Sequence, residues 1–106
     1  MRKTIRFQVT LAAVILLAGA VSFAQSGEAT YKAKCQSCHG AAGTPSPAMA
    51  KAMGVKSASD PAVKSSTEAK MIAVTTNGAG KMPAFKGKLT DAQIKDSVDY
   101  FRTFAK

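Results

Sequence analysis

The residues best suited to chemistry form one short run, Cys35-Gln36-Ser37-Cys38-His39. On a turn of helix, two thiols three positions apart lie on the same side, where each can form a thioether to one of the two vinyl groups of a haem. The imidazole that follows can then bind the iron from one face. Because the 106-residue chain has no other cysteine or histidine, the run predicts one covalently bound haem c, held by Cys35 and Cys38 and ligated by His39.

Three other uses of the same residues are weaker hypotheses. A structural zinc site needs four protein ligands, and two cysteines with one histidine supply only three. A thioredoxin-like dithiol follows a βαβ pattern, and no segment of this chain alternates as a strand does. A disulfide between Cys35 and Cys38 would enclose only two residues and would be strained.

The first 24 residues have the pattern of an export signal. An uncharged, mostly apolar run at 9–21 follows a basic N-terminus, and small residues precede a cleavage position after Ala24. The basic residues are Arg2, Lys3 and Arg6. Because the run is shorter than the ~20 apolar residues of a membrane span, we expect cleavage, with retention as an N-terminal anchor as the alternative. The prediction is a signal peptide at 1–24 and one small domain at 25–106 in the periplasm or an equivalent exported compartment, without stable membrane insertion after cleavage.

The predicted mature domain is small and basic. Its 82 residues carry twelve Lys and Arg against six Asp and Glu, for a formal charge of +6. A chain of this size buries a modest core, so a covalently bound haem would contribute much of its stability. Nucleic acid is disfavoured as a partner by the export signal, and the positive charge suits acidic proteins instead.

Cap residues and apolar spacing predict helices throughout the mature chain. Ser65 with Glu68 three residues later has the form of a capping box, and so does Thr90 with Gln93. The last helix then has an apolar face and runs to about Ala105. The predicted helices span 28–34, 48–53, 66–76 and 91 to about 105, with a brief turn after Asp60-Pro61. The segments 40–47 and 79–88 are rich in Gly and Pro and are predicted loops.

A second iron ligand would have to come from methionine, because the chain has no second histidine and a thioether is the usual alternative. The methionines of the mature chain are Met49, Met53, Met71 and Met82. We expect Met71 to pack in the core and Met49 and Met53 to line the haem pocket as packing residues. Met82 differs because it lies in a loop just before Pro83, which favours it as the axial ligand.

Two prolines follow His39 closely in the predicted loop after the haem-attachment run. Metal-bound histidines usually donate their second ring N–H to a nearby acceptor. The backbone carbonyl of either Pro45 or Pro47 could accept that bond from His39, and stiffening of the loop is the alternative role for each proline.

Three segments of the mature chain resemble the class I c-type cytochromes, in particular the short single-haem bacterial carriers related to the soluble cytochromes of algae and cyanobacteria. The segments are Cys35 to Gly40, Asn77 to Phe85 and Leu89 to Arg102. The resemblance covers essentially the whole mature chain. It implies a small all-α class I cytochrome c fold, with about four short helices wrapped around one covalently bound haem and with the N- and C-terminal helices crossing.

The resemblance also implies which residues make that crossing. Gly27 and Tyr31 of the first helix would pack across Val98 and Phe101 of the last. From the sequence alone, Gly27 either begins the first helix or allows another helix to approach closely.

With His39 and Met82 as axial ligands, the iron has no free position for a substrate, so we predict a soluble one-electron carrier and no enzyme activity. Its partners would be acidic proteins of an oxidase, reductase or photosystem in a respiratory or photosynthetic chain, and the carrier itself would be a monomer. Four lysines flank the haem-binding segments and either steer such partners or form a solvated basic surface. They are Lys34, Lys81, Lys86 and Lys88. The alternative function is a haem-based sensor in which Met82 is a labile ligand.

Overall fold

The computed structural model describes residues 26–106 and consists of helices joined by turns and loops. The helices are α1 Ser26–Lys34, α2 Gln36–His39, α3 Pro47–Met53, α4 Pro61–Lys64, α5 Glu68–Asn77 and α6 Asp91–Arg102. This part of the chain contains no strand, which confirms the all-α prediction. Four helices have seven residues or more, and α2 and α4 add single turns of four residues each.

Helices α1 and α6 cross closely at Gly27. A Cβ atom on Gly27 would lie 2.7 Å from the backbone oxygen of Asp96, closer than such atoms approach. The backbones of the two helices therefore nearly touch, and a glycine is needed there for that reason. This confirms the predicted crossing and selects close approach as the role of Gly27.

Tyr31 lies at the centre of the core beside this crossing. Its side chain is 1% exposed, and its ring centroid lies 5.3 Å from that of Tyr100, 6.2 Å from Phe101 and 5.6 Å from Phe104. Aromatic pairs of this kind are worth about 0.5–1.5 kcal/mol each beyond the area they bury. The Tyr31 hydroxyl donates a 2.6 Å hydrogen bond to the carbonyl of Gly40. Burial is the main reason that the pKa of Tyr31 is raised to about 12.

Helix α6 begins where the sequence predicts but ends earlier. The Thr90 hydroxyl accepts from the amide of Gln93 at 3.1 Å, and the Gln93 side chain accepts from the amide of Thr90 at 2.9 Å, which confirms the capping box. The buried apolar residues of this helix are Ile94 and Val98. After Arg102 the amides of residues 103–105 bond to carbonyls only three residues back. The predicted end near Ala105 is therefore wrong, because the last turn tightens out of α-helical geometry.

Helix α5 begins two residues later than predicted, with Thr67 rather than Ser65 as its N-cap. Thr67 has the extended backbone that a cap needs, and its hydroxyl accepts from the amide of Lys70 at 3.1 Å. Ser65 ends α4 with helical angles, φ −80° and ψ −12°, and its hydroxyl donates to the carbonyl of Ala62 at 3.1 Å. Glu68 is thus the first residue of α5 instead of the third. The predicted capping box is wrong because the turn of α4 extends right up to Ser65.

Helix α3 begins one residue earlier than predicted, at Pro47. Ser46 caps its start, and Gly54 ends it in the left-handed conformation with φ 67°. Helix α4 begins at the predicted Asp60-Pro61 pair, where Asp60 accepts from the amide of Ala62 at 2.9 Å. The sequence predicted this cap because it depends on neighbouring residues alone.

None of the described helices is long and apolar enough to cross a membrane. The longest, α6, has 12 residues, or about 18 Å at 1.5 Å per residue. The predicted signal peptide at 1–24 lies outside the residues that the structure describes.

Candidate functional site

The Cys-x-x-Cys-His run occupies the joint between α1 and α2. The amide of Cys35 bonds to the carbonyl of Tyr31 at 2.9 Å, and the amide of His39 bonds to the carbonyl of Cys35 at 3.0 Å. His39 therefore stands one helical turn after Cys35. Gly40 then ends the helix with φ 85°, and a Cβ atom there would overlap the carbonyl oxygen of Thr44. Only glycine fits after His39, and it turns the chain sharply.

A cavity of about 570 Å³ lies beside this run, within the ~300–1,000 Å³ range of small-molecule and cofactor sites. Cys35, Cys38 and His39 line it together with Met82 and Pro83 from the loop after α5. The wall is mostly apolar, and no acidic side chain belongs to it. The structure thus brings the two predicted thioether residues and both predicted iron ligands to one cavity.

His39 contributes a partly buried imidazole to this wall. Its Nδ1 atom is buried and has no hydrogen-bond partner, so neither Pro45 nor Pro47 forms the predicted orienting bond in this structure. The ring has an edge contact with Phe101, with centroids 5.2 Å apart. Burial lowers the pKa of His39, which favours the neutral imidazole that metals bind. An unpaired buried polar atom lowers the free energy of unfolding by about 1–3 kcal/mol. The stability of the fold therefore does not explain a histidine at this position.

The two cysteines are free thiols on the cavity wall. Burial, and then the neighbouring Cys38, raises the pKa of Cys35, whereas the reactive cysteine of a dithiol oxidoreductase has a lowered pKa. Among residues 26–106, no three His, Cys, Asp or Glu side chains come together to hold a metal ion. The donor arrangement therefore favours neither zinc nor dithiol chemistry, and it leaves both sulfur atoms available for thioether bonds.

Three methionines of the described part of the chain line the cavity. Met53 is the last residue of α3, Met71 lies within α5, and Met82 lies in the loop that follows. The pocket position predicted for Met53 is confirmed. Met49 is not part of the wall, so the pocket position predicted for it is wrong, and Met71, which was predicted to pack in the core, lies on the cavity wall.

The loop that carries Met82 is attached to α5 by its backbone. Ala79 and Met82 exchange amide–carbonyl hydrogen bonds of 3.2 and 3.0 Å, and the amides of residues 85–86 bond to the carbonyls of residues 75–76 at 3.0 Å. Gly78 has φ 78°, and a Cβ atom there would lie 2.9 Å from the carbonyl oxygen of Met82. Met82 therefore has a defined backbone position at the cavity.

Exposed lysines stand around the cavity. Those that line it are Lys34, Lys56, Lys70 and Lys81. The sequence pointed to Lys34 and Lys81 but missed Lys56 and Lys70, although the position of Lys70 next to Met71 was an available signal. Lys86 and Lys88 are exposed but do not line the cavity. None of these six lysines forms an ion pair with a carboxylate in the described part of the chain.

A haem matches the chemistry of this wall. Two free thiols and an imidazole stand next to one another in the chain, the remaining wall is apolar, and the surrounding cations suit the carboxylates of a haem. The unpaired imidazole and the sulfur atoms are the ligand types that hold haem iron in proteins. The residues therefore fit the cofactor that the sequence predicts.

Comparisons with known proteins agree with this description. Residues 22–101 match the family model described as cytochrome c oxidase, cbb3-type, subunit III. Cytochrome c6 from Leptolyngbya boryana is 36% identical over 81 residues, which cover 73% of this chain and 87% of that protein. Among solved structures, the KustC0563 c-type cytochrome has a TM-score of 0.68 and 28% identity, covering 76% of this chain and 98% of that chain.

The family match extends over both the Cys-x-x-Cys-His run and the Met82 loop, and the relative and the solved structure are both cytochromes by name. Together with the thiols on the cavity wall, they show one covalently bound haem c and a role in electron transfer. The chain belongs to this family of c-type cytochromes and is a small class I cytochrome c.

Proposed function

We propose that this chain is an exported one-electron carrier in which His39 and Met82 are the axial ligands of the haem iron. The observation that carries the proposal is that one cavity is lined by the haem-attachment run and by Met82. His39 is the only histidine of the chain and adjoins the attachment cysteines. With both axial positions taken by side chains, no position is left for a substrate, and we propose no enzyme activity.

Met82 is better suited to ligation than the other two methionines of the cavity. Met53 and Met71 lie in helices, where packing explains an apolar side chain. Met82 lies in a loop whose backbone is bonded to α5, and Pro83 restricts the chain directly after it. A ligand on such a loop can be aimed at the iron without distorting a helix.

The haem supplies the one-electron iron couple when it is bound. Cys35 and Cys38 would hold it by thioether bonds, so that the carrier does not lose its cofactor between partners. The apolar wall excludes water and disfavours the extra positive charge of ferric iron, and the Met82 sulfur favours the ferrous state. Both properties of the chain raise the reduction potential.

The lysines around the cavity support an acidic redox partner. Four exposed lysines line the cavity without an ion-paired carboxylate, and no acidic side chain lines it, in the part of the chain that the structure describes. Unpaired cations on one side of a small protein attract an acidic surface and speed its encounter. The proposed partners are acidic proteins of an oxidase, reductase or photosystem, and the description of the matching family model names an oxidase.

The signal pattern at 1–24 supports export, with a mature domain at 25–106. No helix in the described part of the chain is able to span a membrane. The proposal is accordingly a carrier that works in the periplasm or an equivalent compartment after cleavage.

The test of the proposed function is an absorption spectrum with a redox titration of protein expressed with a haem-attachment system. We expect a c-type α-band, haem that acidified organic solvent does not extract, and a single one-electron transition. The matched variant is Cys35→Ser with Cys38→Ser, from which the same solvent should extract any haem present. Extractable haem in the wild type, or no reversible one-electron transition, would contradict the proposal.

The steering role of the lysines is tested separately with hexacyanoferrate(III), a small anionic oxidant. Lys56→Glu with Lys70→Glu, at two exposed lysines of the cavity wall, should slow oxidation severalfold at low ionic strength and flatten its dependence on salt, because salt screens the long-range attraction. The control, Lys51→Glu with Lys106→Glu, changes the net charge equally. Equal effects in the two double variants would show that only the net charge matters.

A further inference from the structure

One hydrogen bond connects the Met82 loop to a different side of the cavity. The Lys81 ammonium group donates to the backbone carbonyl of Ala52, near the end of α3, at 2.6 Å. The two residues are 29 positions apart in the chain. Lys81 lines the cavity, and so do Met53 and Gly54, which directly follow Ala52. The bond therefore joins two segments of the cavity wall.

The Lys81–Ala52 bond is the polar attachment of α3 to the Met82 loop. The other hydrogen bonds of residues 47–56 are local ones within the helix and its caps. Just after this segment, the amide of Ala58 bonds to the carbonyl of Gly43 at 2.8 Å, and the hydroxyls of Ser57 and Thr44 lie 3.2 Å apart. Within the described part of the chain, no other hydrogen bond joins 47–56 to a distant segment, so loss of the Lys81–Ala52 bond would remove the polar connection between α3 and the Met82 loop.

The acceptor is well placed for a cation. The carbonyl of Ala52 belongs to the last turn of α3, where helix carbonyls have no partner within the helix and carry a partial negative charge. An ammonium donor is favoured at such a position, and charge-assisted bonds of this kind are short, as the 2.6 Å distance is.

The Met82 loop would thus be held on two sides. Its backbone is bonded to α5 through the amides of residues 85–86, and the residue just before Met82 is bonded to α3. We propose that Lys81 is a positioning residue for Met82, which keeps the loop closed over the cavity and slows departure of the Met82 sulfur from the iron. This inference rests on the proposed function, since it takes Met82 as the axial ligand.

Binding of carbon monoxide to the reduced, haem-loaded protein measures that departure. At saturating carbon monoxide the rate of binding reaches a plateau, which equals the rate at which Met82 leaves the iron. We expect Lys81→Ala to raise the plateau roughly three- to tenfold, the factor that loss of one typical hydrogen bond gives. Lys81→Arg keeps a long cationic donor and should stay within about twofold of the wild type.

The matched control is Lys51→Ala, which removes an equal charge from an exposed position on α3 itself and should leave the plateau unchanged. A plateau in Lys81→Ala like that of the wild type would overturn the role of Lys81, and so would an equal rise in Lys51→Ala or in Lys81→Arg. Ferric wild-type protein must also show the weak red charge-transfer band of thioether-bound haem. Absence of that band would overturn the Met82 assignment and the role of Lys81 together, whereas its presence with an unchanged plateau would overturn the role of Lys81 alone.

Discussion

At Gly27 and Gly40, the absence of a side chain is what the haem site requires. A Cβ atom on Gly27 would press on the backbone of Asp96, and one on Gly40 would overlap the backbone of Thr44. The first glycine lets α6 approach α1, which brings Phe101 against His39. The second turns the chain immediately after His39. Neither glycine would bind the cofactor, but both determine where His39, the proposed iron ligand, stands.

The close approach at Gly27 predicts that a larger side chain there destabilises the protein. Gly27→Leu should lower the free energy of unfolding of the haem protein by about 1–3 kcal/mol, the usual cost of overpacking, because Asp96 and α6 must move away. Thermal unfolding measured by circular dichroism checks this. The control is Ala33→Leu, at an exposed position of the same helix, which should stay within about 0.5 kcal/mol of the wild type. Equal melting temperatures for Gly27→Leu and the wild type would contradict the close crossing.

The sequence singled out most of the proposed site residues because their types are rare. Cys35 and Cys38 are the only cysteines and His39 the only histidine of the chain. Met82 differs from the other methionines of the mature chain because it lies in a loop before a proline. By contrast, the bond from Lys81 to Ala52 was beyond prediction, because its partner is a backbone carbonyl that only the fold brings near. The orientation of His39 was similarly beyond the local sequence, which offered two prolines and no way to choose between them.

Among the helices, a capping pattern predicted the start of a helix correctly where no preceding helix used the same residue. Thr90 and Gln93 form the predicted capping box because nothing helical precedes them. Ser65 has the same pattern with Glu68, but Ser65 is the C-cap of α4. The N-cap of α5 is therefore Thr67. A sequence pattern for one helix cannot show that the preceding helix already occupies its cap.

Glu68, the first residue of α5, takes part in a cluster of exposed ion pairs with charged residues of α6. Lys95 lies 2.7 Å from Asp99 and 3.5 Å from Glu68, and Arg102 lies 3.5 Å from Glu68. The hydrogen bond from Lys95 is the largest cause of the lowered pKa of Asp99, and the same bond is the largest cause of the raised pKa of Lys95. The cluster connects α5, which forms part of the cavity wall, to α6.

These pKa shifts determine how the contribution of the ion pairs to the stability of the fold depends on pH. A lowered carboxyl pKa stabilises the fold above the unfolded value of about 3.9, and the contribution is lost as pH falls through the folded value. A raised lysine pKa stabilises the fold below about 10.4, and that contribution is lost as pH rises through the folded value. Lys95→Gln should therefore lower the melting temperature slightly at neutral pH, by less than Gly27→Leu does, and less still in high salt.

The difference between Lys95→Gln and the wild type should vanish at both pH extremes. Melting temperatures across a pH series check this, with Lys51→Gln as the control because Lys51 forms no ion pair in the described part of the chain. A difference that stayed constant from acid to alkaline pH would mean that the ion pairs do not stabilise the fold.

The molecule as a whole is built around a cavity rather than a dense polypeptide core. In the described part of the chain, the buried apolar residues are Tyr31, Ala58, Ile94 and Val98. The apolar sides of α3, α5 and the Met82 loop line the cavity of about 570 Å³. The sequence predicted the helices and their crossing, but the apolar face of α5 could equally have packed on another helix. Only the assembled fold shows that Met71, which was predicted to pack in the core, lies on the wall of the cofactor site.

This arrangement predicts that the cofactor is needed for folding. Cys35→Ala with Cys38→Ala, prepared without haem, should be largely unfolded, because a molecule that binds only the folded state stabilises it and a domain of this size has little stability to spare. Far-UV circular dichroism checks this, with the haem-loaded wild type as reference. Native-like helix content in the haem-free variant would contradict it.

Ligation of the iron of a covalently held haem by His39 and Met82 should produce the charge-transfer band of thioether ligation in the ferric protein. We expect this weak red band in the wild type, in Met53→Leu and in Met71→Leu, since leucine is close to methionine in volume and costs less than about 1.5 kcal/mol. Met82→Ala should lack the band, retain haem bound through Cys35 and Cys38, and have a lower potential. Survival of the band in Met82→Ala, or its loss in either leucine variant, would contradict the assignment.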